Sequence, residues 1–203
     1  MERSDSKKER EDFFKLFREQ HPTPYFEFEN IKETERLEYE ILSDSNYHEI
    51  YEMFKNDKSK FVQAEYKNID SLKEYLDYQL NYNRFSPKRC ACDWLFKLKD
   101  GGDYVGLLNV YELSLETFAN NHKKCMIGFT TRAEFRRKYY TTEAVKSLID
   151  HVFRAYKLDT IIANTDKANE ASKFLLEKFG FEDVTEKFYY SKEYDYFEFK
   201  RKN

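Results

Sequence analysis

The sequence predicts an α/β protein: a mixed, mostly antiparallel central sheet flanked by helices. Three observations predict it. Segments of alternating apolar residues recur as strand candidates from residue 35 to the end of the chain. Between them lie stretches with apolar residues at helical spacing, the clearest over residues 140–156. Their order joins antiparallel hairpins to one strand–helix–strand crossover, which mixes the two kinds of pairing in one sheet.

Each element has its own signal. Residues 5–20 carry Phe13, Phe14, Leu16 and Phe17 among charges and read as an amphipathic helix that stops before Pro22. Aromatic and acidic residues alternate over 25–30, the pattern of a short strand. Leu37, Tyr39 and Ile41 alternate in a half-buried strand over 35–42. Ser43 or Asp44 can cap a helix carrying Tyr47, Ile50, Tyr51 and Phe54, and Asp70 or Ser71 can open one with Leu72, Tyr75, Leu76, Gln79 and Leu80 inward. Strands over 90–99 and 104–113 flank a Gly101-Gly102-Asp103 hairpin turn, and a third strand covers 124–131. The 140–156 helix turns Ala144, Val145, Leu148, Ile149, Val152, Phe153 and Tyr156 to one side. A short strand (159–164) and a helix (168–179) follow, and Gly180 supplies the left-handed helix stop. Two antiparallel strands close the sheet after Phe181.

Composition narrows the function. With 203 residues the chain can bury one good core. The expected division is an N-terminal helical extension (1–30) and one main domain (31–203). Lys plus Arg is 35 against 38 for Asp plus Glu, a net charge of −3 that argues against a general nucleic-acid binder. No apolar run approaches the ~20 residues of a membrane span. The polar first residues predict no secretory signal, and the odd cysteine count of 3 predicts reduced thiols and a cytoplasmic home. Cys90 and Cys92 form a C-x-C pair without a second Cys or His pair, so same-face strand residues are expected rather than a metal site.

The informative segment is 129–144, F-T-T-R-A-E-F-R-R-K-Y-Y-T-T-E-A. A strand runs into a basic loop and then a long helix. Free N–H groups at a helix start bind phosphate well, and Arg136, Arg137 and Lys138 add charge there. Thr141 and Thr142 can cap the helix or donate hydroxyls. Taken alone, the basic run reads first as a solvated turn; its setting between a strand and a helix is what favours the anion site.

The stretch Arg136 to Ala144 resembles the pyrophosphate loop of GNAT-superfamily N-acetyltransferases, above all the RimJ/RimL-like branch that modifies ribosomal-protein N-termini. That branch commonly reads R-G-K-G-Y-A-T-E-A; here it stands as R-R-K-Y-Y-T-T-E-A. A second block, Asn164 to Ser172 leading to L-E-K-F-G-F, is similar to the family's N-x-x-S and L-x-k-x-G-F. Thr34-Glu35-Arg36-Leu37 resembles its first strand, and Ile127-Gly128-Phe129 its fifth. The departures are the two loop glycines, replaced by Arg137 and Tyr139 where positive φ is usual.

The resemblance implies an acyl-CoA-dependent enzyme, with acetyl-CoA as co-substrate and no metal, that transfers directly to a primary amine of a peptide N-terminus or small molecule. It implies that Arg136, Arg137, Lys138, Tyr139, Tyr140 and Thr141 hold the pyrophosphate. Phe129 and Thr131 would pair with the pantetheine arm, with one strand N–H facing the thioester carbonyl. Asn169 would touch the cofactor; as a bare residue it reads as a helix N-cap. Ser172 would give a proton to the leaving thiolate, against a plain reading as a helical surface serine. Glu112 is the candidate base, with His122 or a water as alternatives; Glu143 reads as a first-turn carboxylate, not a base. The helix from Leu72 and the aromatics Phe188 to Tyr190 would flank the acceptor pocket. The competing reading is a non-catalytic acyl-CoA- or protein-binding module. A homodimer through the N-terminal helix is compatible with the sequence.

Overall fold

A computed structural model describes residues 2–87, 89–114, 123–188 and 192–201. The strands are β1 (Leu37–Ile41), β2 (Cys92–Leu98), β3 (Tyr104–Ser114), β4 (Lys124–Thr131), β5 (Thr160–Asp166), β6 (Glu182–Asp183) and β7 (Tyr194–Lys200). They form one sheet in the order β1-β2-β3-β4-β5-β7-β6. Every pairing is antiparallel except β4 with β5. The helices are α1 (Glu2–Gln20), α2 (Tyr47–Phe54), α3 (Ile69–Asn81), α4 (Tyr140–Tyr156) and α5 (Glu170–Lys178).

Strand alternation feeds two cores. Cys92, Trp94 and Phe96 of β2 face the α4 side, where Ala144, Val145, Leu148 and Val152 meet them, with Leu176 of α5 in the same cluster. Leu95 and Leu107 point the other way, into a second cluster with Ile50 and Phe54 of α2 and Leu72 and Leu76 of α3. The sheet is therefore covered on both faces, and β2 and β3 read as nearly continuous apolar runs for that reason. Cys90 and Cys92 are both buried and reduced in the first cluster, and burial pushes the Cys90 thiol up to about 12.

Several expectations are corrected. Residues 25–30 join no strand. They form an extended strap: Phe26 and Phe28 pack edge-on against Tyr156, Phe28 also against Trp94, and the Trp94 indole donates to the Glu29 carbonyl at 3.2 Å. The alternation there reports one-sided packing, not a ladder. The α3 cap is Asn68, whose Oδ1 accepts from Asp70 and Ser71 N–H at 3.0 Å each, so the two predicted caps are instead its clients. Asn46 stands at the start of α2 in place of Ser43 or Asp44. The first closing strand shrinks to β6, because Thr185–Phe188 coils into a single tight turn. Tyr189 and Tyr190 lie outside the described residues, as does His122.

α1 docks on α3. Arg10 pairs with Glu74 (3.2 Å) and Asp77 (3.4 Å), and Phe14 meets Tyr78 edge-on.

Candidate active site

The site begins where the sheet comes apart. β4 and β5 pair in parallel only as far as Ile127 opposite Ala163. Beyond that point β5 continues on β7, while β4 continues on β3. A wedge opens between residues 128–131 and 164–166. Arg132 N–H bonds the Val105 carbonyl at 2.9 Å on the β3 side. Ladder alternation then turns the Phe129 and Thr131 main chain the opposite way, into the wedge.

Two cavities meet there. One, of about 820 Å³, is lined by Thr131, Arg137, Tyr139, Thr141, Thr142, Phe174 and Lys178 among others. The other, of about 1010 Å³, runs under α3 and reaches Asp93, Asn109, Tyr111 and Glu112. Phe61, Val62, Phe129, Thr130, Asn169 and Ser172 line both.

The first cavity opens on the start of α4. The N-cap position is Tyr139, and its side chain makes no cap hydrogen bond; neither Thr141 nor Thr142 takes that role. Thr141 instead shares a 2.6 Å hydrogen bond with Thr131 across the cavity wall. The first N–H groups of the helix lack intrahelical acceptors and carry its positive dipole end. Arg137 and Tyr139 have φ of 60° and 65°. The positions where the resembling loop has glycine thus keep the left-handed turn, at a cost of ~1–2 kcal/mol each. Both side chains are exposed and line the first cavity; Tyr139 is 70% exposed, with Lys178 Nζ 5.6 Å from its ring centre.

The rest of the basic loop is held by contacts within the protein, although Arg136 also lines the first cavity. The Arg136 guanidinium pairs with Asp57, a carboxylate buried to 2% exposure, and its Nε donates to the Thr131 carbonyl at 2.9 Å. Lys138 and Tyr140 lie outside both cavity linings. Lys138 Nζ sits 5.4 Å from the Phe135 ring centre, and Tyr140 lies between Phe135 and the Arg36 guanidinium. Glu143 accepts from Thr34 Oγ1 (2.5 Å), Arg36 N–H (3.1 Å) and Arg36 Nε (2.7 Å). Burial pushes its carboxyl up, but the Thr34 and Arg36 hydrogen bonds and the Arg36 charge hold it below the usual value. Glu143 therefore locks α4 to the start of β1.

On the other wall, Asn169 caps α5: its Oδ1 accepts from Ser172 N–H at 3.3 Å. The cap fixes Ser172 at the shared mouth of the two cavities. Glu112 sits at a register slip in β3, between Tyr111 and Ser114, with φ of 51°. Such a bulge re-aims a strand side chain, and Glu112 lines the second cavity. Phe188 lines neither cavity; it stacks on Tyr196 at 4.2 Å.

The residues at 33–182 match the acetyltransferase (GNAT) domain family. The chain belongs to the GNAT acetyltransferase family. It is 25% identical over 153 residues to the uncharacterized N-acetyltransferase YoaA of Bacillus subtilis (strain 168), covering 75% of this chain and 82% of that protein. A ribosomal-protein alanine acetyltransferase from Vibrio fischeri shares the fold at a TM-score of 0.63 and 18% identity, over 88% of this chain and 97% of that one. The Campylobacter jejuni N-acetyltransferase PseH does so at 0.57 and 14%, over 82% and 99%. As a GNAT protein the chain is an N-acetyltransferase, built on a seven-stranded, mostly antiparallel sheet flanked by helices.

The acyl-CoA that GNAT enzymes generally use fits what this chain offers. An uncapped helix start, an exposed Arg137 and a cavity wall of Phe174 and Tyr139 suit a molecule that is anionic in its middle and aromatic at one end. No group of three or more metal-ligating side chains occurs among the described residues, nor a helix long and apolar enough to cross a membrane.

Pattern reading missed the floor of the larger cavity. Asp93 is 1% exposed and accepts from Tyr75 OH (2.7 Å), Gln79 Nε2 (2.5 Å) and Asn109 Nδ2 (2.5 Å). Burial pushes its carboxyl up, against the downward pull of these three donors and of the Arg84 charge. The signal was present: a lone Asp in the apolar run A-C-D-W-L-F, in a strand buried on both faces.

Proposed function

We propose that this GNAT enzyme takes acetyl-CoA and transfers its acetyl group directly to a primary amine of a small molecule or peptide N-terminus. The observation that carries the reading is the meeting of two cavities at the β4–β5 wedge, with Ser172 and Phe129 on the shared wall. One cavity suits the cofactor and the other the acceptor, and the reacting groups would meet at the mouth.

When bound, acetyl-CoA supplies an activated acyl carbon and a thiolate leaving group. The chain supplies the rest. Arg137, Tyr139, Thr141 and the first N–H groups of α4 hold the pyrophosphate. The Phe129 and Thr131 main chain would pair with the pantetheine arm through the groups that Arg136 leaves free, and one strand N–H would stabilise charge on the thioester oxygen. Asn169 sets the α5 start and touches the cofactor arm. Ser172 Oγ delivers a proton to the departing sulfur, and Glu112 takes one from the acceptor nitrogen, directly or through water. Arg136 serves here through Asp57 and Thr131, as a brace for the loop. The three buried, unpaired cysteines suit a reducing compartment, and the cytoplasm is the proposed location.

Titration of the purified chain with acetyl-CoA and with CoA, followed by an amine screen, tests the reading. Micromolar binding with turnover supports it. Binding without turnover on any amine would favour a non-catalytic acyl-CoA-binding module; no binding at millimolar cofactor overturns the cofactor site. Ser172→Ala should lower kcat by about a hundredfold, with cofactor affinity kept; full retained activity would remove Ser172 as the acid.

A further inference from the structure

The floor of the larger cavity is a polar row laid across the sheet. The register sets Asp93 of β2 beside Asn109 of β3, and Asn109 beside Gly128 of β4. The next position in line is Asn164 of β5, where the β4–β5 ladder has already ended. All four line the cavity. Their neighbours on the same face of β2 and β3, Leu95 and Leu107, are apolar core. A polar row in that setting costs desolvation unless each group is used.

The row has a direction. Asp93 Oδ1 accepts from Asn109 Nδ2 at 2.5 Å, which fixes the Asn109 amide. Its oxygen is thereby turned toward β4: a Cβ added at Gly128 would lie 3.2 Å from Asn109 Oδ1. The Asn109 amide also serves the buried Tyr66 hydroxyl as a donor, and Gly128 leaves the space in front of the amide oxygen open. Tyr75 and Gln79 clamp the far side of Asp93. Among the described residues Asp93 has no ion-pair partner within 4 Å, so a buried carboxylate with neutral donors stands behind a carbonyl facing the cavity.

Resting on the acetyltransferase reading above, we propose that Asn109 binds a second, non-reacting hydrogen-bond donor of the acceptor, with Asp93 as its positioning residue. The acceptor class is then a small amine that carries a further amino or hydroxyl group, rather than a plain alkyl amine. Hydrogen-bonded strands lie about 4.8 Å apart. Asn109 thus stands one to two strand spacings from the wedge, a reach that a four-carbon chain covers.

Three length-matched amines test this: diaminobutane, aminobutanol and butylamine, each with acetyl-CoA and the full chain. The first two should exceed butylamine in kcat/KM by about tenfold or more, the worth of one well-placed hydrogen bond in a buried site. The better of the two tells whether an ammonium or a hydroxyl is preferred. In Asn109→Ala and in the isosteric Asp93→Asn the advantage should collapse toward unity, mainly through KM. Gly128→Ala, which crowds the Asn109 oxygen, should do the same. Equal rates for all three amines, or an advantage that survives in Asn109→Ala, overturns the proposal. Should no amine turn over, calorimetry of diaminobutane against butylamine on the CoA-loaded chain decides it separately: preferential binding lost in Asn109→Ala supports the subsite, and equal or absent binding sinks it. If CoA itself fails to bind, the cofactor reading falls, while the same amine titration on the free chain still judges Asn109.

Discussion

At the scale of single residues, the pyrophosphate-type loop shows side chains overruled by backbone. Arg137 and Tyr139 hold φ of 60° and 65°, a conformation in which L residues are strained. Replacing Arg137 by Gly should therefore raise stability by about 1 kcal/mol, or about 2–4 °C in Tm for a chain of this size. Arg137→Ala keeps the strain and should not, and thermal unfolding of the two variants separates the cases. Glu143 gives a pH prediction. Its carboxyl is held below 4.5 in the folded chain by Thr34 and Arg36. A depressed carboxylate stabilises the fold fully above its unfolded value and loses that contribution as pH falls from 4.5 through the folded value. Glu143→Gln should lower stability at neutral pH by about 1–2 kcal/mol and flatten the acid limb of an unfolding-versus-pH curve. An unchanged acid limb would show that the lock contributes nothing. Residue types alone announce neither feature, although the family resemblance marks positions 137 and 139 as ones where positive φ is usual. The missing glycines hide the left-handed turns, and the Thr34–Arg36–Glu143 contact joins positions over a hundred residues apart.

At the scale of elements, what was legible and what was not follow one rule: periodicity reports which side of a segment is buried, not what it bonds to. β4 and α4 were readable because burial and hydrogen bonding agree there. Residues 25–30 were misread because Phe26 and Phe28 are buried on one side without a ladder partner. The region after Phe181 was misread similarly, since Val184 is buried and Phe188 stacks on Tyr196 around a single tight turn rather than from a long strand. The same rule makes the Arg136–Asp57 pair unreadable; a cation in a basic loop announces a phosphate, while its partner lies 79 residues away. That pair ties the segment after α2, which includes Phe61 and Val62 of both cavities, to the loop before α4. Arg136→Ala leaves the buried Asp57 uncompensated and should cost about 2–3 kcal/mol, less than the ~3–5 kcal/mol for a fully buried pair because the guanidinium is partly exposed. Adding Asp57→Asn should return part of that loss. Strictly additive losses in the double-mutant cycle would show that the two side chains do not interact.

At the scale of the whole molecule, the sheet is a device for holding two cavities mouth to mouth. Five strands from β1 to β5 and the β7–β6 pair form one surface, yet the single parallel pairing ends early and lets the main chain of β4 face outward. Ser172 is carried to the mouth by a helix whose cap, Asn169, lines both cavities, so the proposed proton donor and the proposed cofactor wall belong to one element. This makes binding and turnover separable. Saturation at about a hundred times Kd stabilises a folded chain by about 2.7 kcal/mol, whatever the chemistry that follows. For about 200 residues that is a rise in Tm of about 5–10 °C. CoA should produce this shift in the unaltered chain and equally in Ser172→Ala, because the role proposed for the serine concerns a proton and not cofactor affinity. Arg137→Ala should shrink it, since that guanidinium is the loop cation that faces the cavity without a buried partner. A scan in which Ser172→Ala loses the shift while Arg137→Ala keeps it would invert the two roles: the serine would then be a binding residue, and the loop, despite its left-handed turns, would hold no phosphate.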